Sequence, residues 1–80
     1  MSEVRRTNIR VIGPVQYPEI AWRHGMTLAL AISTANYTDA RDPRTIVVNR
    51  QRERIEFNPE ELLRGKDIDL EPGDTVEIHP

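Results

Sequence analysis

Short stretches in which apolar and polar residues alternate predict most of the strands of this chain. In the first stretch, residues 8–15, Ile9 and Val11 fall on one face, which predicts a strand with one buried side. A second extended segment is expected at residues 19–23. Three further alternating stretches complete the set: 44–50, 52–57 and 75–79. The first two of these three are expected to form a hairpin that turns near Gln51.

Two segments carry helix signals. Thr27 can cap a helix that runs to about Asn36, and Leu30 points away from its apolar side. At 3.6 residues per turn, that apolar side is a stripe of Leu28, Ala31, Ile32 and Ala35. A second, shorter helix is predicted to begin after Asn58 and to end at Gly65.

The elements therefore follow the order strand, strand, helix, strand, strand, short helix, strand. One main helix lying across a mixed sheet of four or five strands is the simplest way to bury the apolar stripe. This predicts an α+β fold, and the arrangement is that of a β-grasp. Residues 1–7 are polar and are predicted to be a flexible tail, so the domain is expected to span residues 8–80.

Composition narrows the function classes. With 80 residues, 38% apolar residues and a net charge of −2, the chain allows one small domain without room for a deep enzyme cleft. The near balance of charge argues against a dedicated nucleic-acid binder. Cysteine is absent, so disulfides and thiol chemistry are excluded. No apolar run is long enough to span a membrane, and the N-terminal residues lack the apolar core of a signal peptide.

In their order and spacing, several short motifs resemble the SLBB domain, the soluble-ligand-binding β-grasp module of bacterial polysaccharide export proteins. The matching residues are Val11-Ile12-Gly13-Pro14-Val15, Pro18, Gly25-Met26-Thr27-Leu28, Ala31-Ile32, Ala35, Ile46-Val47-Val48-Asn49-Arg50 and Leu70-Glu71-Pro72-Gly73-Asp74-Thr75-Val76. The resemblance implies a periplasmic or envelope-associated module that contacts polysaccharide or envelope export proteins and forms homo-oligomers in its parent protein. Asn36 and Tyr37 stand where relatives carry two glycines, and Asn36 can adopt the same left-handed conformation.

Aromatic residues supply the candidate ligand site. Sugars stack on aromatic rings, which makes Tyr17 and Trp22 the first candidates for saccharide contact, with Arg23, Tyr37 and Arg41 completing the set. The alternative for Trp22 is a structural role as a lid over one end of the core. The arginines Arg41, Arg44 and Arg50 are predicted to attract acidic export substrates, whereas a solvated charged hairpin is the alternative.

No residue set predicts catalysis, a metal or another cofactor. His24 and His79 would need Glu19 or Glu77 to complete a metal site, and they are interpreted instead as solvated surface imidazoles. No serine has a plausible triad around it, and the glycines are scattered at turns. A sulfur carrier or ubiquitin-like modifier would need an exposed C-terminal Gly-Gly pair, whereas the chain ends Ile78-His79-Pro80.

Two hypotheses for the function remain. The first is a non-enzymatic module of a polysaccharide export system, located in the periplasm or at the cell envelope, that acts in saccharide contact or in assembly with envelope partners. The second is a free-standing cytoplasmic β-grasp adaptor in protein–protein interaction. Neither hypothesis predicts a nucleic-acid partner.

Overall fold

A computed structural model describes residues 8–80, and this part of the chain contains five strands and two helices. In chain order the elements are β1 (Ile9–Ile12), β2 (Glu19–Ile20), α1 (Leu28–Ala35), β3 (Thr45–Arg50), β4 (Glu53–Phe57), α2 (Pro59–Leu63) and β5 (Thr75–His79). The predicted order is confirmed, as is the α+β class with one main and one short helix. The tail predicted at residues 1–7 lies outside the described residues.

The five strands form one mixed sheet in the order β2-β1-β5-β3-β4. β1 and β5 are parallel, and the other three neighbouring pairs are antiparallel. The first and last strands therefore lie side by side in the middle of the sheet. β3 and β4 form the predicted hairpin, and Gln51 turns it with a φ of 53°.

The core lies between one face of the sheet and α1. The buried strand residues on this face are Ile9, Val11, Ile20, Ile46, Val48, Val76 and Ile78, all at alternating positions. From the helix, Leu28, Ala31 and Ala35 are buried against them, as the stripe predicts. Ile32 also packs against this core but is only partly buried, because it lines a surface groove as well.

Local signals set the ends of both helices. The Oγ1 atom of Thr27 accepts a hydrogen bond of 3.2 Å from the backbone N–H of Leu30. Asn36 ends α1 in the left-handed conformation with a φ of 61°, and its backbone N–H donates to carbonyls of the last turn. At the start of α2, Asn58 Oδ1 accepts from the N–H of Glu60 at 2.9 Å. These predicted caps are confirmed.

β2 is shorter than the extended segment predicted at residues 19–23. It ends at Ile20 because Trp22 turns towards the core, where its indole N–H donates to the carbonyl of Leu70 at 2.8 Å. That carbonyl belongs to a segment that pairs with the start of α1 through an isolated bridge between Thr27 and Asp69. The chain therefore leaves the sheet to close the N-terminal end of α1.

Gly13 follows β1 at a point where two backbones come very close. A Cβ atom at this position would lie 2.7 Å from the carbonyl oxygen of Ile78 in β5, and its φ is +144°. Both the space and the conformation require glycine. Within residues 8–80 neither helix is both long and apolar enough to cross a lipid bilayer.

Candidate functional site

Three of the five predicted ligand residues lie at the C-terminal end of α1. Tyr17 is 52% exposed, and its backbone N–H donates to the carbonyl of Ala35 at 2.9 Å. Tyr37 pairs with Val15 in an isolated bridge and packs partly against the core. Its phenol donates to the carbonyl of Arg41 at 2.8 Å. Tyr17, Tyr37 and Arg41 therefore share one end of the molecule.

Electrostatics at this end hold the loop in shape. The Arg41 guanidinium and backbone N–H both bond the Asp39 carboxylate, and these bonds hold the pKa of Asp39 below its ordinary value. Partial burial, with Asp39 close by, raises the pKa of Tyr37, which keeps its phenol a neutral donor. Tyr17 is the more exposed of the two tyrosines and is therefore the candidate for stacking at this end.

The other two predicted ligand residues lie at the opposite end of α1. Trp22 bonds Leu70, whose own backbone N–H donates to the carbonyl of Met26 just before the helix, and Arg23 accepts a backbone bond from Met26. An eight-residue helix is about 12 Å long, so the two groups are separated by the length of α1. The structure does not bring the five residues into one site.

Trp22 has a structural role. Its ring is partly buried and packs against the core, and its indole N–H is already used by Leu70. Its edge also meets the ring of His24, with centroids 6.4 Å apart. The lid interpretation is confirmed for Trp22, and its saccharide contact stays a prediction.

A groove runs between α1 and α2. Its volume is about 460 Å³, which lies within the range of ligand-binding pockets. The lining residues are Ala29, Ile32, Ser33, Asp42, Pro43, Ile46, Pro59, Glu60, Leu62 and Leu63. Sequence reasoning missed this groove, because α2 buries none of its residues and is separated from α1 by 23 residues of loop and hairpin. The signal available in the sequence was the adjacent pair Leu62 and Leu63, of which Leu63 is 89% exposed in the structure.

The sheet face turned away from α1, here called the outer face, is polar around Glu77. Asn49 Nδ2 donates to one oxygen of this carboxylate, and His79 Nε2 lies 2.9 Å from the other. Arg54 Nη1 lies 3.8 Å away. The bond with His79, followed by that from Asn49, lowers the pKa of Glu77. A carboxylate stabilised in its charged form in this way is a poor general base.

Val47 is fully buried although it belongs to the outer face. It lies between Glu77 of β5 and Glu56 of β4 in the same row of the sheet. The aliphatic stems of such long polar side chains can cover a residue between them, which an alternation pattern cannot reveal. Val47 is therefore buried on this face even though its cross-strand neighbours are charged.

Arg50 and Asp74 form an ion pair that the sequence did not reveal. Asp74 is 2% exposed, and Arg50 Nη2 donates to its carboxylate at 2.8 Å while Nε donates at 3.1 Å. The N–H of Glu71 donates to the same group at 2.8 Å. The pairing of Asn49 with Thr75 places Arg50 next to Asp74. Since Arg50 is held here, it is not free to attract an acidic substrate.

Arg44 lies just before β3, and its backbone N–H donates to the carbonyl of His79 at 2.7 Å. It lines a depression of about 260 Å³ at the end of the hairpin, together with Thr45, Glu56, Phe57 and Asn58. In residues 8–80 no three side chains of His, Asp or Glu are grouped so as to hold a metal ion. His24 and His79 are both exposed and lie on different elements.

No family model, curated protein or solved structure matches this chain. The resemblance to SLBB domains therefore rests on the motif residues alone.

Proposed function

We propose that this chain is a non-enzymatic β-grasp module, similar to SLBB domains, that serves polysaccharide export in the periplasm or at the cell envelope. The observation that carries the proposal is the sheet order β2-β1-β5-β3-β4 with α1 packed across one face. The resemblance implies a mixed sheet with one main helix, and residues 8–80 contain both. A topology by itself does not determine function, so the surface must supply the chemistry.

The saccharide part of the proposal is supported by the C-terminal end of α1. Tyr17 is 52% exposed, and Arg41, whose side chain is 73% exposed, offers polar groups at the same end of the molecule. Aromatic stacking with nearby hydrogen-bonding groups suits a sugar ring. The non-enzymatic part is supported by Asp74, the one charged side chain buried within residues 8–80, because Arg50 and the backbone N–H of Glu71 already bond its carboxylate.

Titration of the ¹⁵N-labelled chain with an acidic and a neutral oligosaccharide of equal length tests saccharide contact. We expect shift changes at Tyr17, Tyr37 and Arg41, and their loss in Tyr17→Ala. Ile12→Ala is the matched control, since Ile12 is 51% exposed but lies on the outer face. Changes confined to Trp22 and Arg23 would move the site to the other end of α1. No change with either sugar would refute saccharide contact.

Deletion of the gene in the organism of origin tests the export role as a whole. We expect less polysaccharide at the cell surface, and restoration by the wild-type gene. A strain that exports normal amounts would refute the export role. A Tyr17→Ala gene that restores export fully would leave assembly with envelope partners as the mode of action.

A protein-binding adaptor is the second candidate function. The observation that favours it is the groove between α1 and α2, because its walls are apolar and open to solvent. A small domain gains nothing in its own stability from a residue as exposed as Leu63. Such a residue on the rim of an apolar recess is typical of an interaction surface.

A further inference from the structure

The groove between α1 and α2 has apolar walls on both sides. Ala29 and Ile32 form the wall from α1, and Leu62 and Leu63 form the wall from α2. Ile32 and Leu62 are only partly covered, and Leu63 is almost fully exposed. An occupant that brings aliphatic side chains would remove this surface from water, with a gain of about 25 cal/mol for each Å² buried.

The charged residues that line the groove are both acidic. They are Asp42 and Glu60, and neither forms an ion pair with any residue from 8 to 80. Their neighbours along the chain differ, since Asp39 pairs with Arg41 and Glu61 pairs with Lys66. The groove thus presents unneutralised negative charge beside apolar walls, which complements a cationic partner.

The backbone around the groove indicates which secondary structure a bound segment would have. The strand residue that lines the groove is Ile46, and it is paired with Phe57 on one side and with Ile78 on the other. No unpaired strand edge is offered at this position for an extended peptide to join. A helix satisfies its own backbone hydrogen bonds and needs no strand edge, so it suits this position.

A second copy of this chain fits the groove poorly. A two-fold contact brings the same patch of both copies together, so Asp42 and Glu60 of both copies would lie in one interface. Like charges brought together at an interface are repulsive. The chain as a whole also carries a net charge of −2.

We propose that the groove between α1 and α2 binds a short amphipathic helix of another protein, with aliphatic residues on one face and Lys or Arg at its flanks. The aliphatic residues lie between Ile32 and Leu63, and the basic residues meet Asp42 and Glu60. This inference deepens the adaptor function and rests on it, but it needs no saccharide and no export system. Its failure would leave the oligosaccharide and gene-deletion results unaffected.

The test uses three synthetic peptides of about four helical turns with the ¹⁵N-labelled full chain. The first carries leucines at i, i+3, i+4 and i+7 with lysines on its flanks. The second has glutamate in place of every lysine, and the third is a scramble whose leucines share no face. We expect the first peptide to bind at least about tenfold more tightly than the second. This difference in affinity should become smaller at high salt, because salt screens the charges. Shift changes should centre on Ala29, Ile32, Leu62 and Leu63.

Two leucine variants distinguish binding in the groove from non-specific hydrophobic binding. Leu63→Ser should weaken binding of the basic peptide about tenfold, because a leucine contact is lost. Leu30→Ser is the matched control, since Leu30 is 51% exposed on α1 but does not line the groove, and it should bind normally. Both replaced residues are exposed, so both variants should fold.

Three outcomes would overturn the inference. The acidic or scrambled peptide could bind as well as the basic one, which would remove the role of charge or of the apolar face. Shift changes could fall on the outer face. The chain could also form a dimer that Leu63→Ser abolishes, which would make a second copy the occupant. Loss of the basic preference in the double variant Asp42→Asn, Glu60→Gln would support the inference.

Discussion

Asp74 shows how one residue can tie together parts of the chain that are distant in sequence. Its carboxylate receives hydrogen bonds from Arg50, at the end of β3, and from the N–H of Glu71 in the turn before β5. Arg50 Nη2 also donates to the carbonyl of Asp69 at 3.1 Å. A buried carboxylate is tolerated only when such donors replace water. The pair therefore fixes the turn at residues 71–74 against the hairpin.

Removal of the Arg50 side chain should destabilise the fold. We expect Arg50→Ala to lower the free energy of unfolding by about 3–5 kcal/mol, because it leaves Asp74 charged and buried without its partner. The lower end of this range is expected, since the Arg50 side chain is 20% exposed. Urea denaturation measures the loss. Arg52→Ala, on the exposed turn of the same hairpin, is the control and should change stability by no more than about 0.5 kcal/mol.

If Arg50→Ala and Arg52→Ala unfold at the same urea concentration, the ion pair contributes nothing and the interpretation is wrong. Arg50→Lys refines the result. Lysine keeps the charge but cannot donate two parallel hydrogen bonds. The free energy of unfolding of Arg50→Lys should therefore lie between those of the wild type and Arg50→Ala.

At the level of elements, α1 depends on one face for its stability. It is eight residues long, and an isolated helix of that length is not stable in water. The contacts of Leu28, Ala31 and Ala35 with the sheet hold it in place. The small alanines allow the helix to lie close to the strands.

Two leucines on this helix provide a matched comparison. Leu28 is fully buried, whereas Leu30 is 51% exposed. Leu28→Ala should cost about 2–5 kcal/mol through lost burial and the cavity it leaves. Leu30→Ala should cost under about 1 kcal/mol. Thermal and urea midpoints measure both, and a larger effect at Leu30 would mean that the helix faces the sheet with another side.

The elements also show what sequence reasoning can reach. The caps at Thr27, Asn36 and Asn58 depend on neighbouring residues, so local patterns predicted them correctly. The inward faces of the strands were predicted for the same reason. The length of β2 was wrong, because a long-range bond from Trp22 to Leu70 draws the chain out of the sheet.

The candidate site was harder to predict from the sequence than the fold was. Tyr17 and Trp22 are five positions apart, yet the structure places them at opposite ends of α1. Proximity along the chain says little about proximity across a turn and a helix. The groove depends on how α2 lies beside α1, which no local pattern encodes.

The whole molecule is closed by the parallel pairing of its first and last strands. β1 pairs with β5 from Arg10 to Ile12, and β5 pairs with β3 on its other side. The sheet is therefore incomplete until residues 75–79 are in place. The close approach of Gly13 to Ile78 marks the end of this pairing.

Replacing Gly13 with alanine tests whether the chain approaches β5 as closely as the structure shows. Gly13→Ala should cost more than the 1–3 kcal/mol or so typical of backbone strain alone, because its Cβ would also lie 2.7 Å from the Ile78 carbonyl oxygen. Gly25→Ala is the control: its φ of +85° is also strained for alanine, but no atom lies within 4 Å of the added Cβ. We expect Gly13→Ala to show the lower urea midpoint and to shift the amide signals of β5. Equal midpoints would mean that β1 and β5 do not approach as closely as the structure shows, because the contact with Ile78 and a φ of +144° should both make alanine more costly at Gly13 than at Gly25.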